Sequence, residues 1–403
     1  MAVFVCPSHE TALDLWRLWS HSHPLSVREF HRRSASKAAD LPASVFASST
    51  ALGSCAATET EARRLLSVSE ACGDKGAGFG ALPGESDLMR RLRRFLAYDG
   101  NFWNAAEVPW EMGDVRVHVA ALRRPGMASS RALRLHHCAG KMPRGALLRI
   151  SSRLLLCSPE FVFVQMGSQM PFGALVALGY ELCGCYPSVL RGGRVVRRPL
   201  TNPARLRAFC DRVSSVKGVK AARAAARFIM AKSASVMETE LAVVLSLSKR
   251  RGGLGYTGAR LNELVKLSPG AARIARCAEL SCDILWPDAK VAFEYDSALH
   301  VGSVDQMVRD ARKRDALAAN GIKLWSVTHR QFESILEFEE ISARALRGPS
   351  GPRKPMTSDQ LARHGMLRHE IAVFHRRRSS GRPLSAPRGD GASRLRRRGG
   401  SGS

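Results

Sequence analysis

SCDILWPDAKVAFEYD, residues 281–296, sets two short apolar runs around a turn-forming Pro287-Asp288-Ala289 and places three further carboxylates, Asp283, Glu294 and Asp296, at fixed spacing. Runs of this length, rich in aromatic and branched residues and joined by turn chemistry, predict an antiparallel hairpin. If Asp288 and Ala289 form a two-residue loop, Pro287 faces Lys290, Trp286 faces Val291, and counting outward sets Asp283 opposite Glu294. Side chains alternate along a strand, so Glu294 and Asp296 share a face. Asp283, Glu294 and Asp296 then converge at one end of the hairpin. Carboxylates held side by side repel unless a cation neutralises them, and hard oxygen ligands of this kind suit Mg²⁺ or Mn²⁺. The competing reading leaves one or more of them exposed on an edge strand, or paired with Arg309 or Arg314.

The flanking sequence supplies the rest of a compact α/β unit. Upstream, Ser235 and Glu238 have the S-x-x-E spacing of a capping box, and Leu241, Val244 and Leu245 mark one helical face before Gly252 and Gly253. A short strand is expected near residues 271–276. Downstream, Ser303 and Gln306 open a second capped helix that closes at Asn320-Gly321, and IKLWSVT reads as a strand. The order is helix, strand, hairpin, helix, strand.

That order, with Asp283, Glu294 eleven positions on and Asp296 two beyond, resembles the PD-(D/E)XK restriction-endonuclease-like superfamily. More narrowly, EYDS, His300, DARKRDAL and a following strand ending in Val-Thr resemble the very-short-patch-repair branch, over about residues 235–335. The resemblance implies an α-β-β-β-α-β nuclease core in which Asp283 and Glu294 are metal-binding acids and Glu238 is the helix glutamate. Asp296 stands where the superfamily carries its name-giving lysine, as is common in this branch, and the lysine's role is left unassigned. His300 matches the branch's histidine, a candidate for proton transfer or else a structural imidazole. Asp310 and Arg314 match its D-x-x-(R/K)-R helix motif and read as an ion-paired scaffold. Ser297 replaces a glycine found in many relatives.

Outside this region the chain is less legible. Residues 1–232 read as a mixed α/β region of unassigned fold, with a helical ETALDLWRLW, an Ala/Ser-rich loop over residues 33–64, and a strand-like ALLRISSRLLLC. CSPEF, with Ser158 as N-cap and Pro159 at the first helical position, begins a buried helix that should break at Pro171 and end near Gly184. In KGVKAARAAARFIMAK, Lys220, Arg223 and Arg227 form a basic stripe, either a solvated face or a contact for phosphates. The unit at 233–346 is followed by residues 347–403, Gly-, Pro-, Ser- and Arg-rich, with 14 Lys/Arg against 3 Asp/Glu. A disordered basic tail is expected there.

The formal net charge of +27 favours polyanionic partners. Ten cysteines show neither paired CxxC units nor zinc-finger His spacing and read as reduced thiols of a cytoplasmic protein. The N-terminus lacks a basic leader pattern, and no window offers the about 20 apolar residues of a membrane helix. The expected function is that of a Mg²⁺- or Mn²⁺-dependent DNA endonuclease; the sequence leaves the oligomeric state open, and a homodimer is the arrangement that double-strand cutting, which needs two sites, would call for. The alternative is an inactive nuclease fold serving as a DNA-binding, antitoxin-like regulator.

Overall fold

A computed structural model describes residues 8–13, 16, 117–121, 133–137, 143, 145–149, 155–190, 193–196, 199–296, 304–346 and 355–379. The loop expected at 33–64 and the residues Ser297, His300 and Ser303 lie outside them. Within them the architecture is mixed α/β, built around a four-stranded mixed sheet.

The N-terminal region contributes the parallel pair β1 (Val117–Ala121) and β2 (Leu133–His137), and two hairpins, β3 (Leu147–Arg149) with β4 (Leu155–Cys157) and β5 (Pro187–Leu190) with β6 (Gly193–Val196). Between the hairpins run α1 (Pro159–Met166) and α2 (Phe172–Cys183). The Ser158 side chain accepts the Phe161 N–H, Pro171 stands at the break, and Gly184 follows the last turn of α2, as the sequence predicts. Every residue of α1 is buried, its polar Glu160 and Gln165 included, because this helix is core rather than surface; Glu160 accepts from the Thr201 hydroxyl and Gln165 from the His9 N–H. α3 (Pro203–Arg212) and α4 (Val219–Ala226) pack against it.

α5 (Val236–Ser246) follows with Ser235 as N-cap. It stops at Leu247, earlier than the Gly252-Gly253 pair implied, because a 3-10 turn over Lys249–Arg251 intervenes; Gly252 then takes the left-handed conformation that ends that turn. The next strand, β7, spans Arg260–Lys266, and the strand expected near 271–276 is instead a helix, α6 (Pro269–Ala275). Ser268 caps it, accepting the Ala271 N–H, and Pro269 sits in its first turn, so the local signals at 268–269 outweigh the β-prone Ile274.

β8 (Glu279–Trp286) and β9 (Val291–Asp296) form the hairpin in the expected register, with Trp286 opposite Val291 and Ile284 opposite Phe293. Lys290, at φ +53°, closes the turn by donating its N–H to the Pro287 carbonyl. α7 (Val304–Ala319) crosses over, Gly321 ends it at φ +77°, and β10 (Lys323–Thr328) returns parallel to β9 with Ser326 opposite Glu294. The strand order is β10-β9-β8-β7.

The central strands are buried on both faces. Ile284, Trp286, Val291, Phe293 and Val327 join the main core on the side of α5, while Val265, Leu285, Ala292, Leu317 and Ile322 make a smaller cluster under α7. Central strands covered on two sides need near-continuous apolar sequence, which is why ILW and VAF show no alternation. Phe293 is fully buried, and its truncation to alanine would cost about 3–5 kcal/mol.

α8 (His329–Glu333) and α9 (Ile335–Leu346) follow, and then α10 (Ser358–Ser379). This last helix corrects the expectation of a disordered tail over 347–403. Leu367, Ile371 and Phe374 are buried in the main core, and α10 packs on α2 and α5. The Arg368 guanidinium lies over the Phe332 ring at 4.3 Å and donates to the Phe332 carbonyl, so one of the tail's arginines is structural. Composition hid the helix because its apolar stripe is thin and interleaved with arginine. The same core runs from Ala12 to Phe374, so the boundary drawn at 232 does not divide two separate cores. Among the described residues no helix is long and apolar enough to cross a membrane.

Candidate active site

The ladder between β8 and β9 ends at the pair Ile284–Phe293, and the next positions in register are Asp283 and Glu294. Beyond the last pair, the Tyr295 N–H donates to Asp283 Oδ2 at 3.0 Å instead of to a backbone carbonyl. A backbone bond of this kind fixes the carboxylate's position without neutralising it.

Glu238 approaches from α5. Its N–H is capped by Ser235 Oγ at 3.1 Å, as the S-x-x-E spacing predicts. Its carboxylate accepts the Ala234 N–H at 2.8 Å and the Asn262 side-chain amide at 2.6 Å, so it does more than close a cap. Asn262 stands opposite Asp283 by the β7–β8 register, which runs from Leu261–Ile284 to Glu263–Cys282 across the unpaired position. Its φ of +46° is left-handed, a conformation asparagine tolerates better than most residues, and the same amide group also donates to the Lys232 carbonyl. Nothing in the sequence of β7 singles out this residue except that asparagine is a poor strand former.

The acids influence one another. Burial, then the Glu238 charge, push the Asp283 carboxyl up to about 7, against the opposing pull of the Tyr295 N–H and the Lys313 ammonium. Burial also raises Glu294; Lys313 opposes the shift, and Asp283 adds to it. For Lys313, burial works to lower the ammonium, but the carboxylate of Glu294 outweighs it and the net shift is upward. Lys313 and Glu294 form an ion pair, with side chains 26% and 20% exposed.

Lys313 is the residue that sequence reading missed. It lies inside the D-x-x-(R/K)-R motif of α7, where only its neighbours Asp310 and Arg314 were singled out. The structure corrects their role: Asp310 accepts a hydrogen bond from the Gln306 side chain at 2.7 Å, and exposed Arg314 makes no ion pair among the described residues. Lys313 faces the sheet because it is four residues before the buried Leu317, one helical turn along the same face. Neither Arg309 nor Arg314 neutralises the hairpin acids.

Asp296 is exposed at the end of β9, opposite Thr328 of β10. The expected three-carboxylate cluster is therefore incomplete: among the described residues Asp283, Glu294 and Asp296 do not close to mutual ligand distance. Asp283, Glu294, Glu238 and Lys313 are instead the residues coupled electrostatically, although among the described residues Asp283, Glu294 and Glu238 do not close to mutual ligand distance either. His300 lies outside the described residues.

The basic stripe on α4 divides in two. Lys220 and Arg227 are exposed, whereas Arg223 turns back on α3, its Nε donating to the Cys210 carbonyl at 2.9 Å and its terminal nitrogen to the Val213 carbonyl. Arg223 is thus a cap for the C-terminal carbonyls of a neighbouring helix and not a phosphate contact. Arg227 instead joins Arg250 and Arg251 around an open cavity of about 530 Å³ that Ala224, Phe228 and Ser248 also line. Among the described residues, Cys157, Cys183, Cys185, Cys210 and Cys282 are buried and form no disulfide, as expected, and Cys277 is exposed and likewise outside any disulfide.

No known protein family, curated protein or solved structure matches the chain.

Proposed function

We propose that the chain is a divalent-cation-dependent DNA endonuclease of the PD-(D/E)XK type. The single observation that carries this reading is the electrostatic coupling of Asp283 to Glu238 and to Glu294, from three different elements, with Lys313 paired to Glu294. The donor set fits Mg²⁺ or Mn²⁺: two carboxylates from adjacent strands present hard oxygens, and an Asp283 carboxyl raised to about 7 marks a site short of positive charge. Mg²⁺ needs only one or two protein carboxylates when substrate phosphate and water complete its shell, so the exposed Asp296 is not required in it. Asp283 and Glu294 would hold the cation, which supplies charge stabilisation on the scissile phosphate and lowers the pKa of a water nucleophile.

The remaining work belongs to the protein's own groups. The Tyr295 N–H holds Asp283, and Asn262 holds Glu238 within its electrostatic reach. Lys313 opposes the upward shift that burial imposes on Glu294 and presents a fixed positive charge to the phosphate, the role left open by Asp296 in the superfamily's lysine position. His300, from the resemblance alone, is the candidate for proton transfer. Lys220, Arg227 and the neighbouring Arg250 and Arg251 give the backbone of DNA a sequence-independent hold. Cleavage of supercoiled plasmid and of single-stranded DNA in Mg²⁺ or Mn²⁺, abolished by chelator and by Asp283→Ala, tests the assignment.

The Lys313–Glu294 pair also favours a second reading, in which lysine takes the place of the metal and the fold is a DNA-binding, antitoxin-like regulator. Salt-sensitive DNA binding without cleavage, and metal binding unaffected by Glu294→Ala, would select it.

A further inference from the structure

We propose a second, chemically distinct metal site, formed by His9, His118 and His136 and selective for a borderline transition ion of the Zn²⁺ class. His9 is more than a hundred residues from His118 and His136 in sequence, yet one ligand nitrogen from each lies within 4.8 Å of the other two. Among the described residues this is the one group of three metal-ligating side chains so placed.

The geometry is close to that of a shared cation. His136 Nε2 and His118 Nδ1 are 3.0 Å apart, and two imidazoles on one tetrahedral zinc, each about 2.0–2.1 Å from the metal, hold their nitrogens roughly 3.3 Å apart. The His9 ring stacks on that of His136 at 3.6 Å between centroids and 23° between planes, so it must turn about its side-chain bonds to aim its in-plane lone pair at a shared ion; the His118 and His136 rings lie 4.9 Å apart. His118 and His9 are 5% and 6% exposed, so at least two of the three are buried. A cation is held by the neutral form of imidazole, with no proton on the ligating atoms.

The backbone around the cluster is fixed in advance. The Ser8 N–H donates to the His118 carbonyl at 2.9 Å, and the His118 N–H to Thr11 Oγ1 at 2.9 Å. The His9 N–H donates to the buried Gln165 side chain of α1 at 3.1 Å, and Ser8 Oγ lies 3.1 Å from His9 Nδ1. His9 has φ +50°, a left-handed conformation that costs of order 1–3 kcal/mol and that recurs where a side chain must be aimed at a ligand. A donor set of three imidazole nitrogens without a carboxylate selects Zn²⁺, Co²⁺, Ni²⁺ or Cu²⁺ over Mg²⁺. Three histidines leave a fourth position for water. The ion would clasp the first helical residues of the chain to β1 and β2, a long-range closure.

The test uses the full-length protein, stripped with chelator, dialysed against micromolar ZnCl₂ and analysed for metal by mass spectrometry. Wild type and Asp283→Asn should each retain one zinc per chain, whereas His118→Gln and the half-buried His136→Gln should lose it with their circular dichroism unchanged. Independently of any variant, Co²⁺-loaded wild type should show the visible absorption of a tetrahedral nitrogen site and lose it on adding Zn²⁺. Failure of wild type to retain zinc, or equal retention in both histidine variants, would overturn the proposal. Loss of zinc in Asp283→Asn alone would do so too, by moving the ion to the acidic site.

Discussion

The ammonium of Lys313 on α7 pairs with the carboxylate of Glu294 on β9, directly beside Asp283. A lysine that arrives from a helix rather than from the strand itself gives the hairpin acids their counter-charge. Lys313→Met should therefore lower kcat by roughly 10²–10³, the usual effect of losing one preorganised electrostatic donor. Binding of DNA should change far less, because a single charge contributes little to a polyanion contact. Single-turnover cleavage compared with fluorescence-anisotropy binding separates the two.

Stability should fall as pH rises from about 4 to 7. Asp283, raised to about 7 by burial and by Glu238, and Glu240, raised to about 7 by burial and by Glu333, both hold protons in the folded state that they release when unfolded. The folded chain thus binds more protons than the unfolded chain across that window, and its advantage is lost as pH passes through the folded-state value. Thermal unfolding of Asp283→Asn and Glu240→Gln should show a flatter pH profile and, at pH 7.5, melting a few degrees above wild type. Added Mg²⁺ should raise the wild-type midpoint above pH 7 and leave that of Asp283→Asn unchanged.

Asn262 combines a left-handed backbone with a side chain that bridges Glu238 and the Lys232 carbonyl. Asn262→Ala loses the bonds and places a Cβ-bearing residue without asparagine's tolerance at positive φ, so a loss of about 1–3 kcal/mol is expected. Asn262→Gly relieves the backbone alone and should recover about 1 kcal/mol of it. Denaturant titration measures both.

The three cations of α4 should respond differently. Lys220→Ala and Arg227→Ala should each weaken DNA binding about equally on any sequence and reduce the slope of log K against log salt by roughly 1. Arg223→Ala should leave that slope unchanged and lower the melting temperature, because its guanidinium caps the carbonyls of α3.

Removal of residues 355–403 should destabilise the fold rather than only weaken its hold on polyanions. Leu367, Ile371 and Phe374 are core residues, and Arg368 stacks on Phe332. Arg368→Ala alone should cost about 2 kcal/mol through the lost stacking and the unpaired Phe332 carbonyl.

The parts of the molecule governed by local rules were legible in the sequence. The hairpin register follows from turn length and side-chain alternation, and these alone place Asp283 opposite Glu294. Caps at Ser158 and Ser235, the break at Pro171 and the stop at Gly321 are likewise short-range signals. The residues 268–276 were misjudged because a helix of two turns carries too little periodicity to oppose one β-prone residue, although Ser268-Pro269 marks its start. Lys313, Asn262 and the three clustered histidines depend on tertiary approach. No window of sequence contains Lys313 together with Glu294, or His9 together with His136. α10 was hidden by composition, since a basic segment rich in arginine looks alike whether its few apolar residues find a core or not.

The central claim is that Asp283 and Glu294 form a cation-dependent nuclease site. The most direct measurement is nicking of supercoiled plasmid by the purified full-length protein in Mg²⁺ or Mn²⁺, against Asp283→Ala and Glu294→Gln prepared alongside and matched for fold by circular dichroism. The account predicts cleavage by wild type that chelator abolishes and that both variants lose by at least about 10²-fold. Plasmid left intact by wild type, or cut equally well by Asp283→Ala, would contradict it.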